Sequence, residues 1–455
     1  MGYNFRPLDR EQQYLMPPSM RDWLPAGDLV WFLLEAVAQM EWDEFYRMYR
    51  ADGWGNAAYE PSMMVSLLLY AYCVGERSSR RIERLCERDI AFRLITGNQA
   101  PDHSTIARFR QGYEEALAAL FTQVLRLCAE AGLVKAGVVA LDGTKIKANA
   151  SLAANRTYAW LEEEVRRMLS EAEAKDAEED ELYGPGRRGD ELPEELKDPG
   201  KRLARLRQAK ERLEREAAGE AAQQAEKIEK RVEEEEKTGR KKRGRKPKEL
   251  DDTPQAEAKA NVTDPESRIM KTRTGYVQGY NAQVVVTKDQ LILAADVTQE
   301  ENDVRQLHPM LEQAQEELAT VSVEEPIGVL LADAGYWSEA NIQEADPEGP
   351  ELLIATTKDW KQRKALREKG PPRGRIPKDL SLPERMEREL RTKRGWGLYS
   401  QRGWIVEPVF GQAKDGRRCE RFMRRGHIAA RSEWRLMAAT HNLLKLWRRG
   451  QVAWA

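Results

Sequence analysis

Gly137-Val138-Val139-Ala140-Leu141-Asp142-Gly143-Thr144 and Ile327-Gly328-Val329-Leu330-Leu331-Ala332-Asp333-Ala334-Gly335 are two short apolar runs, each ending in an aspartate followed by small residues. Such a run reads as a strand buried on both faces, and strands of that kind are central in their sheet. Polar groups just past the carboxyl ends of central strands meet in one crevice. If the two strands are parallel neighbours, Asp142 and Asp333 point into the same space, where two carboxylates repel unless a positive charge sits between them. With little His or Cys nearby, the donors are hard oxygens that suit Mg²⁺ or Mn²⁺ rather than Zn²⁺. A third acid is expected at Glu407, which opens an amphipathic helix in Trp404-Ile405-Val406-Glu407-Pro408-Val409-Phe410 within a basic segment.

Outward from these runs, the patterning predicts strands over Tyr276–Thr287 and Leu291–Val297 joined by a hairpin at Lys288-Asp289-Gln290. It predicts a helix over Asn302–Leu318, a strand over Glu351–Thr356, an irregular Pro- and Lys/Arg-rich loop over Lys361–Arg394, and closing helices near Val406–Lys414 and Ser432–Arg448. That order is a mixed α/β sheet. Residues 1–135 read as helical, with apolar periodicity in Leu29–Met48, Met63–Cys73 and Ala116–Ala131. Between the last two, helices at Arg80–Arg88 and Ile90–Ile95, a Thr96-Gly97-Asn98 turn, and a helix capped by Asp102 or Ser104 have the form of a helix-turn-helix that presents Arg108 and Arg110. An ordinary helical bundle fits that pattern as well. Residues 156–262 are dominated by Glu, Lys, Arg and Ala and read as two charged helices, with a thin seam of Leu203, Leu206 and Leu213, followed by a basic linker. The expected domains are 1–135 (DNA-binding, helical), 136–155 (first core strand), 156–262 (insertion and linker) and 263–450 (the rest of the core).

The chain has 455 residues with 41% hydrophobic and 33% charged residues, and its formal net charge is −2. That balance argues against a simple basic DNA-binding protein, yet residues 391–450 hold fifteen Lys or Arg against four Asp or Glu. Uneven charge of this kind marks a nucleic-acid face. Cys73, Cys86, Cys128 and Cys419 show no zinc-type spacing and read as reduced thiols. Residues 1–15 lack the layout of a secretion signal and no apolar run reaches a membrane span, so a cytoplasmic, nucleoid-associated location is expected.

The chain resembles the DDE transposases of bacterial insertion sequences. The resemblance rests on Leu141-Asp142-Gly143-Thr144-Lys145, Thr263-Asp264-Pro265-Glu266-Ser267, Gly275-Tyr276-Val277-Gln278-Gly279-Tyr280-Asn281-Ala282-Gln283, Asp333-Ala334-Gly335-Tyr336 and Val406-Glu407-Pro408-Val409-Phe410-Gly411. It implies an RNase-H-like catalytic core with Asp142, Asp333 and Glu407 as the catalytic, metal-binding triad. It also implies a Tyr–Arg–Glu–Lys signature, matched by Tyr399, Arg402, Glu407 and Lys414, although the Arg402-to-Glu407 gap is one residue longer than in the family. Lys414 lies two helical turns beyond Glu407, which would put both on one face. The expected mechanism uses two Mg²⁺ ions roughly 4 Å apart to cut a phosphodiester with water and to join the freed 3′-hydroxyl to target DNA. The partners are the element's inverted-repeat ends and target DNA, held by a homodimer in a synaptic complex.

Arg417, Arg418, Arg421, Arg424 and Arg425 adjoin that site and read as phosphate contacts. Arg243 and Arg245, in Arg243-Gly244-Arg245-Lys246-Pro247, resemble a minor-groove hook with an inserted Lys246, or a plain basic linker. His103, His308, His427 and His441 are scattered and read as structural. Two other functions stay open: an RNase-H-like nuclease without strand transfer, and an inactivated transposase that regulates through DNA binding.

Overall fold

The computed structural model describes residues 19–47, 49, 58–183, 198–238, 251–357, 359, 361, 362, 365, 368, 370, 371, 374–377 and 379–450. In chain order the strands are β1 (Val138–Lys147), β2 (Asn155–Thr157), β3 (Lys259–Asn261), β4 (Arg268–Thr272), β5 (Gly275–Thr287), β6 (Ile292–Thr298), β7 (Val329–Ala332) and β8 (Glu351–Ile354). The helices are α1 (Leu29–Ala38), α2 (Asp43–Tyr46), α3 (Pro61–Cys73), α4 (Ser79–Arg88), α5 (Ile90–Ile95), α6 (His103–Gly112), α7 (Glu114–Glu130), α8 (Tyr158–Tyr183), α9 (Asp198–Thr238), α10 (Leu307–Thr320), α11 (Glu339–Gln343), α12 (Leu382–Arg391), α13 (Lys393–Tyr399), α14 (Arg402–Gly411) and α15 (His427–Arg448).

The sheet runs β4-β5-β1-β7-β8, with β6 also paired to β5. β5 runs antiparallel to both β1 and β6, whereas β7 and β8 run parallel to β1, as expected of an RNase-H-like core. β1 does not end at Asp142 as its apolar run suggested. It pairs with β7 only as far as Leu141↔Ala332, but its antiparallel pairing with β5 continues from Val139↔Thr287 to Lys147↔Gly279. The polar second half of β1 is therefore a strand because β5 supplies a ladder, which outweighs local propensity.

Two further elements depart from the sequence reading. β4 pairs with the first half of β5. Its residues Arg268-Ile269-Met270-Lys271-Thr272 carry too few apolar positions to announce a strand. The stretch expected as loop over Lys361–Arg394 contains α12, which begins with a capping box between Ser381 and Glu384, and α13 follows directly. A high Lys/Arg and Pro content hid that local start signal.

The expected boundary at residue 135 is not a break in packing. One hydrophobic core runs from Val30 and Leu33 in α1 through the sheet to Leu446 in α15. α15 is buried nearly all round, from Ala429 to Leu443. Phe121 of α7 packs under the Arg435 guanidinium, 5.0 Å away, and Arg435 also donates to Ala118 O and pairs with Glu317 at 2.6 Å. The charged insertion has its own small core of Tyr158, Leu161, Val165, Leu206, Ala209, Leu213 and Ala260, with Leu203 beside it. The leucine seam read from sequence thus joins α8 to α9. Among the described residues no helix is long and apolar enough to cross a membrane.

Candidate active site

Asp142 and Asp333 follow register partners, Leu141 and Ala332, on neighbouring parallel strands. Adjacent strands lie about 4.8 Å apart, so the two acids leave the sheet side by side. Asp333 Oδ1 accepts from the Gly335 N–H at 2.6 Å, and Asp142 Oδ1 accepts from the Gly143 N–H at 2.8 Å. Arg402, the first residue of α14, donates to Asp142 Oδ2 at 2.7 Å, with both side chains about one-fifth exposed. Burial raises the Asp142 pKa, Arg402 opposes it and Asp333 adds to it; the net result is a carboxyl pushed up to about 6. Burial works to lower the Arg402 pKa, but Asp142, Tyr399 and Asp333 together hold it above its ordinary value. Asp142 has the expected electrostatics: a carboxyl in a partly buried place beside a second acid, with a guanidinium drawn to it.

Glu407 is the third acid of the expected triad. It is exposed on α14, and a Cβ placed on Gly403 would meet its Oε1 at 3.2 Å, so its carboxylate lies back along its own helix. Among the described residues no three His, Cys, Asp or Glu side chains gather tightly enough to hold a metal ion. The structure sets Asp142 beside Asp333 on neighbouring strands and carries Glu407 on α14, the helix whose Arg402 meets Asp142. The shared face of Glu407 and Lys414 is also lost. α14 ends at Gly411 and a π-helical turn, Gln412–Gly416, follows. The wider turn advances less per residue and swings Lys414 away from the α-helical phase. Lys414 Nζ instead donates to Thr144 Oγ1 at 2.5 Å and to Lys145 O at 3.0 Å, and burial holds its pKa below the usual lysine value. Pro408 inside α14 has no N–H for the carbonyl of Trp404, and that carbonyl accepts from Gln290 Nε2 at 2.9 Å. The prolyl defect thus docks α14 on the β5–β6 hairpin.

Asp303 is a fourth acid that the sequence did not reveal. Its Oδ1 accepts from Asn281 Nδ2 at 2.6 Å and Gln283 Nε2 at 2.9 Å, and it pairs with Lys145 at 3.4 Å. Gly143 and Gly335 leave it room: a Cβ on Gly143 would lie 2.8 Å from Asp303 Oδ1, and one on Gly335 would lie 2.8 Å from Asp333 Oδ1 and 3.2 Å from Asp303 Oδ2. The glycines after the two aspartates are thus explained by crowding: at Gly143 a Cβ would meet the Gln283 amide first, and at Gly335 it would meet the two carboxylates. Buried Tyr336, whose hydroxyl donates to Gln283 Oε1, is held well above its ordinary pKa by burial and then by Asp303, Asp142 and Asp333.

The other candidate residues divide by burial. Arg417 is buried, donating to Met437 O at 3.0 Å and Thr440 Oγ1 at 2.8 Å, and burial pushes its pKa down to about 10. Arg110 is buried too, donating to Arg77 O and lying over the Tyr72 ring. Neither can reach DNA without unfolding its surroundings, and both corrections have one cause: an arginine next to a surface helix can still point into a core rich in carbonyls and aromatic faces. Arg108, Arg418 and Arg421 are exposed; Arg424 is half-buried in an ion pair with Glu114. The helix cap is Asp102, which accepts from the Ser104 and Thr105 N–H groups. Arg243 and Arg245 lie outside the described residues. The four cysteines are free and buried. His441 Nε2 donates to Gln290 O at 2.8 Å, and burial pushes its pKa down to about 3.

A mixed sheet of this topology with paired aspartates on its central strands defines a nucleic-acid-processing core. Residues 18–112 match a family described as "Transposase domain (DUF772)", and residues 238–443 match the "Transposase DDE domain". The chain belongs to the DDE-type transposases of insertion sequences. No curated protein and no solved structure matches it. Asp333 and Glu407 fall within the second matched segment. Asp142 falls between the two segments and is tied to Asp333 by strand pairing instead.

Proposed function

We propose that this DNA transposase binds the ends of its element, cuts them at the Asp142–Asp333 site and joins the freed end to target DNA. The single observation that carries the reading is the placement of Asp142 and Asp333 side by side at the end of the β1–β7 pairing, with a buried guanidinium on Asp142. The donor set suits a hard divalent cation such as Mg²⁺: oxygen-only side chains whose repulsion a cation relieves. Asp142 and Asp333 would hold it, and Glu407 would complete the site if α14 moved towards β1 when DNA binds. A bound cation supplies the positive charge that makes water or a 3′-hydroxyl nucleophilic and steadies the leaving oxygen.

The chain's own residues then do the following. Asp142 would hold the cation in place of its contact with Arg402, and Arg402, with Tyr399 beside it, would face the phosphate next to the cut. Lys414 holds β1 at Thr144 and Lys145, which fixes Asp142 in direction. In the first step a water oxygen bonds to phosphorus, the P–O3′ bond breaks, and the products are a 5′-phosphate and a 3′-hydroxyl. In the second, that 3′-oxygen bonds to a phosphorus of target DNA and the target's own 3′-oxygen leaves, so bonds broken and formed balance without an energy source. α5, the turn and α6 form the end-reading unit, with Arg108 exposed on it; two copies pair the two ends.

The test is a strand-transfer assay with the full chain, Mg²⁺ and labelled DNA carrying the element's own ends. Cleavage followed by joined product supports the reading. Cleavage without joining would assign a nuclease, and end binding with neither would assign a regulator. Asp142→Ala and Asp333→Ala should each abolish cutting while binding persists; a variant that still cuts removes that residue from the site.

A further inference from the structure

The segment 402–425 runs alongside residues 142–149 and sets a cation against them at each step. Arg402 meets Asp142, Lys414 meets Thr144 and Lys145, the backbone around Arg421 pairs in parallel with Lys147, and Arg425 Nε donates to Asn149 O at 3.0 Å. The pairing is a single parallel bridge: Lys147 N–H donates to Glu420 O at 3.0 Å and Phe422 N–H to Lys147 O at 2.8 Å. Beyond it lies an open groove of about 700 Å³, lined by Lys147, Ser151, Tyr276, Gln278, Arg421 and Arg425 among others. Lys147, Arg421 and Arg425 are exposed, and none of the three forms an ion pair with a described residue. Asp264 feels the charge of Arg425, but its Oδ1 is engaged by the Tyr280 hydroxyl at 2.9 Å and the Gly426 N–H at 3.2 Å. Tyr276, near the start of β5, is 61% exposed.

Three cations without an ion-pair partner among the described residues, polar side chains and an aromatic face in one groove form a site for a polyanion with flat rings. From Asp142 to Lys147 is five residues of strand, roughly 17 Å at 3.3 Å each. That is about five nucleotides of rise along one strand at 3.4 Å per step. The volume suits about one or two nucleotides, the scale of a small-ligand cleft, and is too small for a duplex. We propose that this groove holds a single DNA strand leading away from the carboxylate pair, with Lys147, Arg421 and Arg425 on its phosphates and Tyr276 stacked on an unpaired base. The inference rests on the cutting site proposed above but uses a readout that needs no cutting.

The experiment uses the full chain in EDTA, with fluorescence anisotropy on a labelled 20-nucleotide single strand and on the corresponding duplex across a salt series. The triple variant Lys147→Gln, Arg421→Gln, Arg425→Gln should flatten the salt slope on the single strand by about two, near 0.7 per lost contact. It should change the duplex slope less. Tyr276→Ala should weaken single-strand binding roughly tenfold, whereas Tyr276→Phe should not, since stacking needs only the ring. The charge-keeping triple Lys147→Arg, Arg421→Lys, Arg425→Lys should retain the slope, which separates lost charge from misfolding. Lys135→Gln, remote from the groove, is the control. An unchanged slope in the Gln triple, equal losses on single strand and duplex, or wild-type binding by Tyr276→Ala would each overturn the proposal. Loss of cutting in Asp142→Ala tests the active-site reading separately.

Discussion

At the scale of single residues, the site is a problem of placing negative charge. The Asp142 carboxyl is pushed up to about 6 because burial disfavours its ionised form by more than Arg402 offsets, and Asp333 adds a smaller repulsion. Its folded value is therefore raised above the ordinary 3.8, so the folded state prefers the protonated acid. The stabilisation from that proton is complete below about pH 4 and is lost as pH rises through 6. A divalent cation needs the ionised form, so binding should release a proton, and affinity should fall about tenfold per pH unit below 6. Calorimetric titration of Mg²⁺ at pH 5.5, in two buffers with different ionisation heats, measures that proton directly; Asp142→Asn should abolish its release. Affinity that is flat from pH 5 to 7 would mean that Asp142 is not a ligand. Asp303 makes a second residue-scale prediction. It orders Asn281, Gln283 and Lys145 and stands against Gly335 beside Asp333. Asp303→Asn keeps the shape and removes the charge, so it should lower cleavage roughly 10–100-fold, as expected for a residue that orients ligands, with little effect on thermal stability. Cleavage at the wild-type rate would reduce Asp303 to a space-filling role.

Elements differ in how legibly the sequence wrote them. β1 and β7 could be read because a short continuous apolar run bounded by small residues has few other structures open to it, and the two aspartates came with them. β4 could not, because it is a strand only in the presence of β5. Asp303 could not, because its meaning comes from Lys145, Asn281 and Gln283, brought together by the β1–β5 register. The π turn after α14 was equally invisible, and it alone moved Lys414 from the face of Glu407 to the side of Thr144. The Thr263–Ser267 stretch, read as a family motif, proves to be a junction. Arg212 of α9 is buried and donates to Pro265 O at 2.9 Å, Ser267 O at 3.2 Å and Lys259 O at 3.1 Å, while Glu266 Oε2 accepts from the His427 N–H at the start of α15. Arg212, together with the Arg268–Glu216 ion pair, therefore pins the charged arm to the core. Arg212→Ala would leave buried carbonyls unsatisfied at a cost of roughly 2 kcal/mol. Amide exchange should then speed up about thirtyfold in α9 and around residues 259–268, with the β1–β5 ladder unchanged. Uniform loosening of the whole chain would show that the arm and the core unfold as one unit.

At the scale of the molecule, the helical region at the start of the chain and the catalytic sheet share one interior, and α15 is what they share. Cys73 of α3 approaches Thr440 O at 3.9 Å, and Cys128 of α7 approaches Asn442 O at 3.9 Å. Arg77 and Glu433 form an ion pair at 2.6 Å with almost no exposure, and Arg77 also donates to the carbonyls of Arg418 and Arg421. Removing one member of such a pair leaves a buried charge without its partner, at a cost of about 3–5 kcal/mol. A fragment of residues 1–135 would remove Glu433, Arg435 and the whole of α15 at once, exposing Leu120, Phe121, Val124 and Cys128 of α7, all now fully buried. Each large apolar side chain returned to water costs about 1.5–3 kcal/mol, and total stabilities are only about 5–15 kcal/mol. The fragment should therefore keep helical far-ultraviolet dichroism but show no cooperative thermal transition, and it should bind a hydrophobic dye that the full chain does not. Recognition of the element's ends must accordingly be tested in the full chain. There, Arg108→Gln should reduce the preference for end DNA over random duplex and lower the salt slope by about one. Arg110→Gln, at a buried site, should lower thermal stability instead and leave that preference unchanged in the folded fraction. A cooperative transition in the isolated fragment, together with its own preference for end DNA, would show that α1–α7 fold and read DNA without α15.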